Sequence, residues 1–169
     1  MNLPLRATAP AFSALEFRAA LGMFATGVTV VTARTATGEL VGLTANSFNS
    51  VSLDPPLVLW SLSQRSLSLD AFRTGSHYAI NVLAADQHEL ALRFATPLSD
   101  RWDGVAWTPG VAGAPLITGA MAHFECFNKS RYEEGDHVIF VGQVEQVAHR
   151  PEATPLLFHG GRFYTEHPL

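Results

Sequence analysis

Thr44, Asn46, Ser47, Asn49, Ser50 and Ser52 gather six neutral hydrogen-bonding side chains within nine residues. Such groups donate and accept without bringing charge, which suits a flat polar ligand and its phosphate. They stand in GLTANSFNSVSLDPPLVLWSL, residues 42–62, between two apolar runs. Asp54, Pro55 and Pro56 close the polar stretch. A residue before proline avoids the α region, and proline offers no N–H to a ladder. The polar stretch is therefore expected to be a shaped connection between two strands, the second over residues 57–62. A plain solvated loop is the competing expectation.

Other chemistry is largely absent. No GxGxxG or GxxxxGK[ST] marks a dinucleotide or phosphate loop, no HExxH or cysteine pair marks zinc, and no GxSxG marks a nucleophilic serine. Histidines at 77, 88, 123, 137, 149, 159 and 167 are scattered, which favours individual roles over a metal cluster. The one cysteine, Cys126, rules out an internal disulfide and is expected to be a buried, inert thiol.

The elements that must position these residues read mostly as strands. Residues 1–12 are expected to be an N-terminal arm, and 13–169 a single domain. Ser13 and Glu16 have capping-box spacing, with Phe12 placed as a hydrophobic staple on a helix that ends near Gly27. Residues 28–33 and 40–45 read as a hairpin across Gly38. Ser66 is expected to cap a short helix through Phe72. A strand at 78–83 is followed by a helix over 85–95 with Leu90, Leu92 and Phe94 inward. Residues 96–113, with Trp102 and Trp107, read as a long packed loop. A second hairpin spans 119–132 and 137–150, and a last pair lies around Gly160 and Gly161. Helices are few and do not alternate with strands, so an antiparallel barrel fits better than a parallel doubly wound sheet.

The whole chain has 169 residues, 47% of them hydrophobic and 15% charged, with net charge −4. It is apolar enough for one sizeable core. The low charged fraction fits a dimer that buries a large face, the favoured reading, or a deep ligand cleft. With no basic cluster, nucleic acid and anionic membranes are not expected partners. No signal peptide and no long apolar run are read, so a cytoplasmic protein is expected.

TGVTVVTA, GLTANSFNSVSLDPPLVLWSL, NVLAADQHELALRFA and GDHVIFVGQV, in that order, resemble the short-chain flavin reductase family. The resemblance runs from about Phe17 to Tyr164. It implies a mainly β fold, a six-stranded antiparallel Greek-key split barrel with a few short peripheral helices, assembled as a homodimer. It implies NAD(P)H-dependent reduction of FMN or FAD, with reduced flavin passed to a separate flavin-dependent monooxygenase.

By the same resemblance, Thr44, Ala45, Asn46 and Ser47 contact flavin, with Ser61, Ser63, Gln64, Arg65 and Ser66 as a second contact segment. His137, in the GDH turn, stands near the nicotinamide of NADH or NADPH, and no essential acid or base is implied. Arg162 and Tyr164 are placed to reach the cofactor groove. Arg65, and the helix that Ser66 opens, would attract the flavin phosphate. Arg131 or Arg162 could serve a 2′-phosphate. The alternatives are a non-catalytic flavin-binding module and a pyridoxine-type oxidase, the latter poorly served by one lysine and scattered arginines.

Overall fold

The computed structural model describes residues 8–97 and 100–167. Residues 1–7 of the expected arm lie outside the described residues. Helix α1 (Ala14–Gly22) begins on the expected capping box. Ser13 Oγ accepts from the Glu16 N–H, and Glu16 accepts from the Ser13 N–H at 2.7 Å. The Phe12 and Phe17 rings meet at 5.5 Å, as a staple requires. The helix ends at Gly22 rather than Gly27, which falls in β1 (Thr26–Gly27).

The main sheet has seven antiparallel strands in the order β3-β2-β6-β9-β10-β5-β4. They are β2 (Thr29–Arg34), β3 (Leu40–Ala45), β4 (Asn49–Leu53), β5 (Pro56–Ser63), β6 (His77–Val82), β9 (Ala122–Glu134) and β10 (His137–His149). The expected six strands become seven because half of the polar connection is itself a strand. Asn49–Leu53 pairs with β5 across a turn containing the cis Asp54-Pro55 peptide. Among the described residues no ladder joins the edge strands β3 and β4, so the hydrogen-bonded sheet is not closed.

β1 forms a separate three-stranded sheet with β11 (Leu156–His159) and β12 (Arg162–Thr165). β7 (Trp107–Pro109) and β8 (Pro115–Ile117) make a small hairpin inside the expected long loop. Helix α2 (Leu69–Thr74) starts three residues after Ser66, with Ser68 at its N-cap position. Ser66 instead accepts from the Ser68 N–H within the preceding turn, at 3.3 Å. In α3 (His88–Ala95) Ala91 and Phe94 are buried, but Leu92 faces out: three residues along from Glu89, it lies on that residue's solvent face.

Alternation on β5 sends Val58, Trp60 and Leu62 into the core. Trp60 stacks on Phe140 of β10 at 4.8 Å and meets Phe72 of α2 edge-on at 4.9 Å. β2 is buried on both faces. Val31 joins the Trp60 cluster, while Val30 joins a second one with Leu83, Ala91, Phe94, Ile117 and Leu156. Helix α3 can lie on β3 only because position 42 is glycine: a Cβ there would stand 2.8 Å from the Phe94 ring.

Candidate functional site

β3 leads into residues 46–48, which return toward β5. Ser47 fixes that return, its hydroxyl accepting from the Ser61 N–H at 2.9 Å and donating to the Ser61 carbonyl at 3.2 Å. β5 then pairs with β10, with Ser61 opposite Ile139 and Ser63 opposite His137. Beyond β5, the Gln64 N–H donates to the Asp136 carbonyl at 2.9 Å. Its side-chain amide donates to the Gly135 carbonyl at 3.3 Å. Thus segments 44–47, 61–66 and 135–137, far apart in sequence, form one continuous ridge.

Several expected ligand side chains serve this scaffold. Thr44 Oγ1 donates to the Ala91 carbonyl of α3 at 2.6 Å. The Ala45 main-chain carbonyl accepts from Thr29 Oγ1 at 2.7 Å. Ser63 Oγ accepts from the Arg65 N–H at 3.3 Å. Two side chains are uncommitted: among the described residues, neither the Asn46 amide nor the Arg65 guanidinium has a hydrogen-bond or ion-pair partner. The main-chain N–H groups of Asn46 and Ser47 are likewise free among the described residues. An exposed arginine suits a phosphate and free amides suit a polar ring edge, so the donor set fits a flavin nucleotide.

His137 Nδ1 lies 2.7 Å from Asp136 Oδ1. That hydrogen bond, with the charges of His137 and Arg65, holds the Asp136 carboxyl below the usual carboxylate range. Sequence reasoning assigned no role to Asp136. The Gly-Asp-His order was visible, but not the ring contact.

Arg162 and Tyr164 stand elsewhere, on β12. Tyr164 meets the His159 ring at 6.2 Å and lines a cavity with Ala85, His88 and Phe163. No described hydrogen bond, ion pair or ring contact joins either residue to the ridge. A cavity of about 530 Å³ between α3 and residues 104–106 is lined by none of the expected site residues. Cys126 is fully buried, and burial above all, helped by Glu145 and Glu125, pushes its thiol up to about 12, as an inert thiol requires.

The model of the flavin reductase like domain matches residues 21–167. The chain belongs to this family. The family assignment agrees with named relatives. The FMN reductase (NADH) SmoA of Agrobacterium fabrum is 50% identical over 88% of this chain and 83% of its own length. The reductase subunit HsaB of a flavin-dependent monooxygenase from Rhodococcus jostii is 37% identical over 92% of this chain and 79% of its own. Some flavin reductase relatives are longer, the chain spanning 44% of a probable one from Rhizobium meliloti. Among solved structures, the NADH:FAD oxidoreductase SgcE6 of Streptomyces globisporus, in complex with NAD and FAD fragments, superposes with a TM-score of 0.87. It is 43% identical, and the match covers 91% of this chain and 93% of that one.

Proposed function

We propose that this chain is an NADH-dependent flavin reductase that uses FMN or FAD and hands reduced flavin to a separate monooxygenase. The observation that carries this reading is the ridge itself, in a member of the flavin reductase like domain family. It joins the segments that carry the uncommitted donors of Asn46 and Arg65 to the turn that carries His137. Hydride passes between the two cofactors, which supply that chemistry when bound.

The protein's part is orientation. Asn46 and the free amides of Asn46 and Ser47 hold the flavin's polar groups, while Arg65 neutralises its phosphate. Ser61 contacts the ligand from β5, and Thr44, Ala45, Ser63 and Ser66 shape the wall. His137 orients the nicotinamide. Arg162 and Tyr164 reach the groove only if the β11–β12 hairpin meets the ridge of a second copy.

The reading includes a homodimer, supported by the exposed apolar face of α1. It includes a Greek-key split barrel over residues 13–169 as one domain. Support comes from the Ser47–Ser61 link between the two ends of the sheet and from the core shared by β3 and β5. No helix among the described residues is long and apolar enough to cross a membrane, and a cytoplasmic location is part of the proposal. A non-catalytic flavin-binding module fits less well, because the named relatives are reductases.

Steady-state oxidation of NADH, with FMN and FAD each in excess, tests the activity. We expect turnover that saturates in free flavin; no NADH consumption with either flavin would overturn the proposal. We predict that His137→Ala raises KM for NADH more than KM for flavin. An equal rise in both would point to structural damage instead.

A further inference from the structure

The tip of the β9–β10 hairpin carries Gly135 at φ 60, then Asp136 and His137. Two features set it apart from a free turn. Gln64 binds two successive carbonyls of the tip: its N–H takes that of Asp136 at 2.9 Å and its side-chain amide takes that of Gly135 at 3.3 Å. The Asp136 carboxylate also meets His137 Nδ1 at 2.7 Å.

An ionised carboxylate has no proton to give, so the proton of this bond sits on Nδ1. That leaves Nε2 for a ligand, and among the described residues Nε2 has no partner. A half-exposed imidazole without such a bond turns freely between two ring orientations. We propose that Gln64 and Asp136 are positioning residues for His137: Gln64 pins the turn, and Asp136 fixes the ring through Nδ1 and presents Nε2 to the nicotinamide. This rests on the reading of His137 as the group beside the nicotinamide. It also reassigns Gln64, whose side-chain amide is spent on the turn rather than left for flavin.

The charged groups facing this pair come from three elements. Arg65 stands in the turn after β5 and acts on the Asp136 carboxylate in the same sense as His137. Glu134 lies directly opposite His137 on β9, and uncharged Ser63 lies opposite on β5. Asp136 is the acid bonded to the ring nitrogen.

The test combines kinetics with the ring's own signal in the full-length protein. Asp136→Ala should lower kcat/KM for NADH by roughly tenfold, the scale of one hydrogen bond to a charged group, and Gln64→Ala by roughly fivefold, the scale of a neutral one; both should leave flavin affinity unchanged. Asp136→Asn, whose amide oxygen still accepts, should restore most of the loss. Asp136→Ala combined with His137→Ala should be no worse than His137→Ala alone.

With ¹⁵N-labelled histidine, the His137 signal (assigned by its loss in the His137→Ala variant) should show the neutral ring protonated at Nδ1. In Asp136→Ala it should move toward protonation at Nε2. An unchanged ring signal in Asp136→Ala overturns the proposal. So does a Gln64→Ala variant that weakens flavin binding and spares NADH. If the wild-type protein oxidises no NADH, the reductase reading fails, and the ring signal alone decides the positioning.

Discussion

Arg65 and Asn46 differ from their polar neighbours in one respect: among the described residues no hydrogen bond or ion pair occupies their side chains. Arg65→Ala should therefore weaken flavin binding without unfolding the chain. We expect about 1.5 kcal/mol, the lower end for a charge-assisted bond because Arg65 is exposed, read from flavin titration. An unchanged dissociation constant would reject the phosphate role. The Asp136 carboxyl titrates lower in the folded chain than it would unfolded, first because His137 donates to it, then through the charges of His137 and Arg65. The unfolded chain then binds more protons below the ordinary carboxylate range. The stabilisation is complete above that range and is lost as pH falls toward the depressed value. A carboxyl NMR titration should find Asp136 below its exposed counterparts in the wild-type protein and moving up toward them in His137→Ala. At this scale the sequence offered residue types suited to a ligand but did not give the side chains' duties within the fold. Thr44, Ser47, Ser63, Gln64 and Ser66 have ligand-binding chemistry, yet each makes a bond within the fold. A hydroxyl or amide serves a carbonyl as readily as a cofactor, and residue type does not distinguish the two.

Elements with local causes were the most legible. The capping box and staple of α1 depend on residues three to five apart, and both formed as expected. The hairpins of β2 with β3 and of β9 with β10 followed from their turn residues and apolar alternation. β4 was hidden because it is a polar edge strand that buries little, so its composition resembles a loop. The start of α2 moved from Ser66 to Ser68 because Ser66 spends its hydroxyl inside the turn before the helix. Close approaches between elements left no pattern either. At Gly142 of β10 an added Cβ would run into the Tyr78 hydroxyl and the Cys126 side chain, both held within the buried core. Gly142→Ala should cost about 1–3 kcal/mol of stability by overpacking, measured by denaturant unfolding. A change near zero would mean that β6 and β9 can shift to make room.

For the whole molecule, the strand order brings β5 between β10 and β4 and so carries segment 61–66 to the hairpin tip. Such long-range pairing cannot be read from periodicity; the family resemblance supplied it in coarse form, while the seventh strand and the pairing of β1 with β11 had to be seen. Helix α1 has no buried residue, with Leu15 77% exposed, and Phe24, two residues past its end, is 76% exposed. We predict that this face is covered in a homodimer, so that Leu21→Asp with Phe24→Asp lowers the mass seen in sedimentation to that of one chain. A wild-type protein that already sediments as a monomer would contradict this. The central claim is that flavin is a substrate that is reduced and released, and anaerobic mixing of the protein with FMN or FAD in large molar excess over the protein, and NADH in excess over the flavin, tests it directly. Bleaching of the entire flavin pool, one flavin for each NADH consumed, is the predicted result. Bleaching that stops at one flavin per protein, or none at all, would contradict it.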